Sequence, residues 1–199
     1  MKNDGHVWDN KKPTAQMLGR WQPWHDGHQK LFEEILKKTN SLHSDSLVLD
    51  IGSAPGGWSE LIKAMAPAAS VYAIDLLPMD PVKDVFFFQE DLINIHKIPE
   101  IYSLKLRFDL VISDLAPNLS GIRAVDEEKI FDLNIETLRT ASIYLNRYNG
   151  SFIIKTFQNS LLKRFRTEME KCFHLVQTYK PAASKSKSGE IYLFGEKPL

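Results

Sequence analysis

The stretch Asp50-Ile51-Gly52-Ser53-Ala54-Pro55-Gly56-Gly57-Trp58-Ser59 constrains the fold of this chain more than any other. It follows the apolar run Leu47-Val48-Leu49, which reads as a buried strand. It precedes Trp58 to Met65, where Leu61, Ile62 and Met65 fall on one side of a helix. Gly52, Gly56 and Gly57 therefore sit at a strand-to-helix turn, where backbone without a Cβ can come close to a ligand. The next apolar run, Val71 to Ile74, ends in Asp75. Nucleotide-binding sheets present a carboxylate at that position to the hydroxyls of a ribose. Glycines alone would fit an ordinary turn of an α/β sheet. A strand before them, a helix after and an acid at the next strand end point together to a nucleotide-like cofactor.

The turn is not a phosphate-binding Walker loop, because no Gly-Lys-Ser/Thr follows the glycines. It also departs from the dinucleotide pattern, since Ser53, Ala54 and Pro55 separate its glycines. An acid at the strand end, Asp50, followed by a glycine turn suits a cofactor that carries a cation, and S-adenosylmethionine is one.

From Ser46 onward the pattern alternates strand and helix. Strands are expected at 47–51, 70–74, 85–89, 108–113, 150–156, 174–179 and 191–195, and helices at 29–39, 57–66, 127–146 and 161–172. The long helix should turn Phe131, Ile135, Leu138, Ser142 and Leu145 inward. Such alternation gives a mostly parallel sheet covered on both faces. The last two strands have no helix between them and should pair antiparallel. At 199 residues, with 43% hydrophobic and 25% charged residues, the chain suits one globular domain. No apolar run reaches the length of a membrane span, the N-terminus lacks a signal-peptide core, and Asp4 and Asp9 argue against a transit peptide. The single Cys172 excludes an internal disulfide, fits a reducing compartment, and falls in register with Leu162, Phe165 and Met169 as a core thiol. Formal net charge is zero, so any nucleic-acid contact must come from local patches.

Ligands of such sheets bind outside the carboxyl ends of the strands. Four charged residues are expected there: Asp75, Asp91, Asp114 and Lys155. Asp114 ends Leu110-Val111-Ile112 and Lys155 ends Phe152-Ile153-Ile154. A lysine among such neighbours needs a partner, so the two form either a structural ion pair or a reactive pair.

The strings GSAPGGWS, DLLPMDP (Asp75 to Pro81) and SDLAPNLSG (Ser113 to Gly121) resemble the FtsJ-like family of ribosomal RNA ribose 2′-O-methyltransferases. The likeness continues through Phe152-Ile153-Ile154-Lys155 and Glu190-Ile191-Tyr192, over roughly three quarters of the chain. It implies an α/β fold, a Rossmann-like class I S-adenosylmethionine-dependent methyltransferase with a seven-stranded sheet. Residues 46–199 would be the methyltransferase domain and 1–45 an atypical N-terminal arm and helix. By the same resemblance Asp75 takes the ribose hydroxyls, Asp91 the adenine amino group, and Gly56 and Trp58 line the methionine end. Asp114 borders the cofactor and belongs with Lys155, Lys30 and Glu190 to a catalytic tetrad. No metal is implied. A ribose hydroxyl attacking a sulfonium methyl needs its proton drawn off, and a neutral lysine amine can do this. Free lysine titrates near 10.4. Burial and a second ammonium, expected from Lys30, would favour the neutral amine, while Asp114 would orient it. The implied substrate is large-subunit ribosomal RNA, a uridine, within the assembled subunit. The enzyme would be a cytoplasmic monomer acting in ribosome biogenesis.

The first quarter departs from that family. Lys30-Leu31-Phe32-Glu33-Glu34-Ile35 matches its lysine helix only with a one-residue shift, and the preceding Arg-Ser-Arg segment is missing. Gln16 to His28 instead resembles the His-x-Gly-His signature of cytidylyltransferase-like nucleotidyltransferases, which holds phosphates at a helix start. Neither the further sheet nor the second phosphate motif of that superfamily follows. His25 and His28 are equally explained as residues packed beside Trp21 and Trp24, and no cysteine pair accompanies them for zinc. Candidate RNA contacts are Arg123, Lys163, Arg164, Arg166, Lys180, Lys185 and Lys187, each equally at home on a solvated surface. The rival functions are 2′-O-methylation of another RNA, such as tRNA or a cap, and a noncatalytic RNA-binding or ribosome-assembly role. A nucleotidyltransferase fragment fused to the fold is a third.

Overall fold

A computed structural model describes residues 26–180 and 189–199, with side chains from residue 29. Seven strands form one sheet: β1 (Leu47–Ile51), β2 (Ser70–Asp75), β3 (Val85–Gln89), β4 (Leu110–Ser113), β5 (Ser151–Phe157), β6 (Phe173–Tyr179) and β7 (Glu190–Pro198). Their order is β3-β2-β1-β4-β5-β7-β6. The first five strands run parallel, and β7 lies antiparallel between β5 and β6. The expected mostly parallel sheet with an antiparallel last strand is therefore present.

Helices α1 (Asp26–Thr39) and α2 (Gly57–Met65) cover one face. Leu31, Phe32, Ile35 and Leu36 of α1 join Trp58, Leu61 and Ile62 of α2 against Val48, Ile112, Ile153 and Tyr192. On the other face α3 (Pro99–Tyr102), α4 (Arg123–Tyr144) and α5 (Leu162–Glu170) pack on Leu49, Val111, Phe152 and Ile154. Strand alternation thus sends odd and even residues of β1, β4 and β5 into two separate apolar layers. Cys172 packs against the second of these layers.

Some elements differ from the sequence expectation. A 3-10 helix at Leu92–Lys97 and the short α3 were not expected; both are too brief to show a helical period, and Pro99 opens α3. Helix α4 begins at Arg123, a turn earlier than expected, because Asp126 reaches back to bind the preceding turn. Its inner stripe holds Phe131 and Leu138 as expected, while Ile135 and Ser142 are only half-buried and Ile130, Asn134, Ala141 and Tyr144 share the burial. The arm that resembles a nucleotidyltransferase signature, His25 included, and the loop with Lys185 and Lys187 lie outside the described residues. His28 lies in α1 by its backbone alone.

Candidate active site

The strand order reverses between β1 and β4, and the crevice at their carboxyl ends is where such sheets bind ligands. Gly52 leaves β1 with φ 79°, and a Cβ placed on it would stand 2.7 Å from Leu115 Cδ2 in the segment leaving β4. Only glycine lets these two segments close on each other in that backbone conformation. Gly56, with φ 119°, then caps α2.

Beside this turn lies a cavity of about 490 Å³, walled by Gly52, Asp75, Leu76, Asp91, Ile93 and Leu115 among others. It falls within the range of small-ligand sites. Asp75 is buried; one carboxylate oxygen accepts the Ala54 N–H at 3.0 Å and the other the Leu77 N–H at 2.8 Å. The acid expected to receive a ribose holds the glycine turn in place. Asp91 caps the 3-10 helix by accepting the Ile93 N–H at 3.1 Å. Glu90, a further acid at the wall that sequence reasoning missed, accepts from Asp91 and Asn94. Hydrogen bonds from Asn94, then from the Asp91 N–H, hold its carboxyl below the usual range.

Asp50 ends deeper than its sequence position indicated. It is 0% exposed, and its Oδ2 accepts the Ser59 hydroxyl at 2.7 Å. Burial pushes its pKa up to about 7; the charges of Asp114 and Asp75 add to the rise and the Ser59 hydrogen bond opposes it. Asp50 Oδ1 and Ser53 Oγ are buried without a hydrogen-bond partner among the described residues. Buried polar atoms of this kind are ordinarily completed by water or ligand. Two carboxylates at strand ends, apolar walls and a glycine turn with polar atoms to spare fit an adenosine-type cofactor.

Next to the cavity, Lys155 near the end of β5 forms an ion pair with Asp114 Oδ1 and lies 4.0 Å from Glu190 Oε1. The sheet register brings them together: Lys155 is opposite Tyr192 of β7, two residues from Glu190. Burial, then the charges of Asp114 and Glu190, push the Tyr192 phenol well above its ordinary value, so it stays protonated. Trp58, expected at the methionine end, is 4% exposed and does not line the cavity. Its ring lies 4.1 Å from that of Phe32 and 5.8 Å from that of Tyr192. This stack ties α1 to the strand that carries Glu190, on the face of the sheet to which Lys155 belongs. Lys30 sits exposed on the same helix.

The basic residues divide. Arg166 is engaged with Val176 O, Thr178 and Glu170, and Arg164 lies over the Phe131 ring. Lys180 reaches Gln158 Oε1 at 3.3 Å, and Arg123 pairs with Glu127 at 2.7 Å while remaining largely exposed. No group of three metal-ligating side chains occurs among the described residues.

The sheet, with its cavity at the switch point, is that of a Rossmann-like methyltransferase fold. The chain belongs to the FtsJ-like methyltransferase family, whose family model matches residues 29–197. It is 39% identical over 171 residues to the ribosomal RNA large subunit methyltransferase E of Coxiella burnetii, covering 80% of this chain and 78% of that one. The protein of that name from Dechloromonas aromatica is 33% identical over 185 residues, with 92% and 90% covered. Among solved structures, a ribosomal RNA methyltransferase from Plasmodium falciparum superposes with a TM-score of 0.75 at 28% identity, covering 86% of this chain and 96% of that one.

Proposed function

We propose that this chain transfers the methyl group of S-adenosylmethionine to a ribose 2′-hydroxyl of large-subunit ribosomal RNA. The observation that carries the reading is Lys155 held by Asp114, the residue before the cavity-wall Leu115, and approached by Glu190. S-adenosylmethionine supplies, when bound, an electrophilic methyl on a sulfonium. Asp75 and Asp91 would hold its adenosine part beside Gly52, while Gly56, outside the cavity lining, serves the turn that opens α2. Lys155 takes the proton of the 2′-hydroxyl as that oxygen attacks, and later releases it to solvent. Asp114 and Glu190 aim the amine at the hydroxyl. Lys30 stands on the helix that covers the same face and completes the proposed tetrad. On the resemblance drawn from the sequence, the acceptor is a uridine in the assembled large subunit, and the enzyme works as a monomer in the cytoplasm. Residues 46–199 form the methyltransferase domain, and residues 1–45 contribute the arm and the lysine helix. No described helix is long and apolar enough to cross a membrane.

The test is Lys155→Ala, assayed with labelled S-adenosylmethionine and large ribosomal subunits, with the product mapped. Turnover should fall by about 100- to 10,000-fold, the usual loss of a positioned base, while S-adenosylmethionine still binds by calorimetry. Lys155→Arg should fail equally, because guanidinium keeps its proton. Near-normal activity of Lys155→Ala would overturn the mechanism.

A further inference from the structure

The turn between β4 and α4 has a feature that methyl transfer itself does not use. Asp126 in the first turns of α4 accepts the Ser120 N–H at 2.6 Å, the Ser120 hydroxyl at 2.7 Å and the Gly121 N–H at 3.0 Å. These bonds, the Ser120 N–H first, hold its carboxyl below the usual range. A turn pinned three times by one carboxylate is rigid. Yet on either side of the pinned residues it shows Leu119 at 48% and Ile122 at 63% exposure. Neither side chain is needed by the core, which already closes beneath α4 through Ile130 and Phe131.

The position of this turn gives the exposed pair a use. The segment leaves β4 at Asp114, the partner of Lys155. Its residues Leu115 to Asn118 then wall the cofactor cavity. Beyond the turn, Glu127 of α4 accepts the hydroxyl of Ser160, five residues past Lys155. The turn is therefore bracketed by the two strands that supply Asp114 and Lys155. Arg123, its side chain 85% exposed, follows Ile122 and is steadied by Glu127.

We propose that Leu119 and Ile122 form an apolar wedge that keeps the acceptor nucleotide out of its base stack, with Arg123 beside it for the RNA backbone. This rests on the ribose-methylation reading and names how that site engages structured RNA. An enzyme acting on one nucleotide inside folded RNA must draw it from its neighbours, and lost stacking has to be replaced. Aliphatic side chains inserted at a base step do this where proteins unstack nucleic acid. Insertion requires a rigid support, which Asp126 supplies. Even with Val125, 42% exposed in the first turn of α4, the patch falls far short of the area of a stable protein interface, so it fits a base better than a ribosomal protein.

The experiment begins by mapping the product of the wild-type enzyme on large ribosomal subunits. If none forms, the ribose-methylation reading fails, independently of the wedge. With the nucleotide mapped, the Watson–Crick edge of its base is probed chemically in complexes saturated with protein and S-adenosylhomocysteine. Wild type should raise its reactivity. Leu119→Ser combined with Ile122→Ser should abolish the rise and slow single-turnover methylation by about 10- to 100-fold, as expected when unstacking loses its support. S-adenosylmethionine affinity should stay within about twofold, since neither side chain lines the cavity. Leu119→Met with Ile122→Val should restore the rise. No rise with wild type, or an undiminished rise in the serine pair, would overturn the wedge. A slower serine pair with an undiminished rise would assign the patch to a protein contact instead.

Discussion

Asp50 sets a stability prediction whose sign and size follow from its surroundings. The carboxyl is pushed from 3.8 to about 7, chiefly by burial. Below pH 4 both the folded and the unfolded chain are protonated there, and the group costs nothing. Between about pH 4 and 7 the unfolded chain ionises while the folded one does not, so stability falls as pH rises. Above pH 7 the loss is complete. A rise of about three pH units at about 1.4 kcal/mol each makes that loss near 4 kcal/mol. Asp50→Asn cannot ionise, and its amide oxygen can still accept the Ser59 hydroxyl. Its amide nitrogen would replace Oδ1, which has no partner among the described residues. That adds a fixed cost of about 1–3 kcal/mol at every pH. The variant should therefore be less stable than wild type near pH 4 and should gain on it steadily, ending level or ahead at pH 8. Urea unfolding of both proteins across this range measures the gap, and groups common to both cancel. A gap constant to within about 1 kcal/mol from pH 4 to 8 would refute a buried, proton-holding Asp50.

Gly52→Ala should weaken S-adenosylmethionine binding at least about tenfold by calorimetry, because an L-residue is strained at that φ and the new Cβ meets Leu115; unchanged affinity would remove the glycine turn from the site. Asn134 donates to Thr156 Oγ1 at 2.7 Å in the core, one residue past Lys155. Asn134→Ala and Thr156→Val should each cost about 1–3 kcal/mol, while the double variant should cost less than their sum, since removing both partners leaves no buried group unpaired. Denaturant unfolding checks this, and additive costs would show that the bond holds nothing together.

Much of this was legible in the chain because strand alternation is written locally. The seven strands and four main helices follow from apolar periodicity, and the strand-end acids follow from where each run stops. The aromatic stack was not legible. Nothing in Gly56-Gly57-Trp58 says that the indole turns from the turn it follows toward Phe32 and Tyr192, residues distant in sequence. Asp50 was placed correctly at a strand end, but its hydrogen bond to Ser59 depends on how α2 folds back over β1. Glu90 was missed because an acid next to Asp91 looks like ordinary surface charge. Arg166 reads from the sequence as an RNA contact or a solvated surface residue, although two of its partners, Val176 and Thr178, lie on β6, an element whose neighbour only the sheet order reveals.

The antiparallel setting of β7 explains why a glutamate so late in the chain reaches a lysine on β5. A parallel strand brings its last residue to the ligand-binding edge, and an antiparallel strand brings its first. Glu190 opens β7 and pairs with Phe157, the last residue of β5, which puts it at the carboxyl edge two residues past Lys155. The same register fixes its face. Lys155 lies opposite Tyr192, so Glu190 and Lys155 belong to one face. Ile112 lies opposite Ile153, so Asp114 belongs to that face too. Asp50, paired with Ile112, and Asp75, two residues past Ala73, follow by the same parity. One face of one edge therefore collects every proposed acid and the lysine except Asp91, which stands beyond the end of β3. A slip of a single residue in β7 would turn Glu190 to the opposite layer and Ile191 toward the lysine. What holds the register is apolar: Ile191 and Leu193 fill one layer while Tyr192 and Phe194 fill the other. The charged cluster thus depends for its geometry on hydrophobic side chains that take no part in its chemistry.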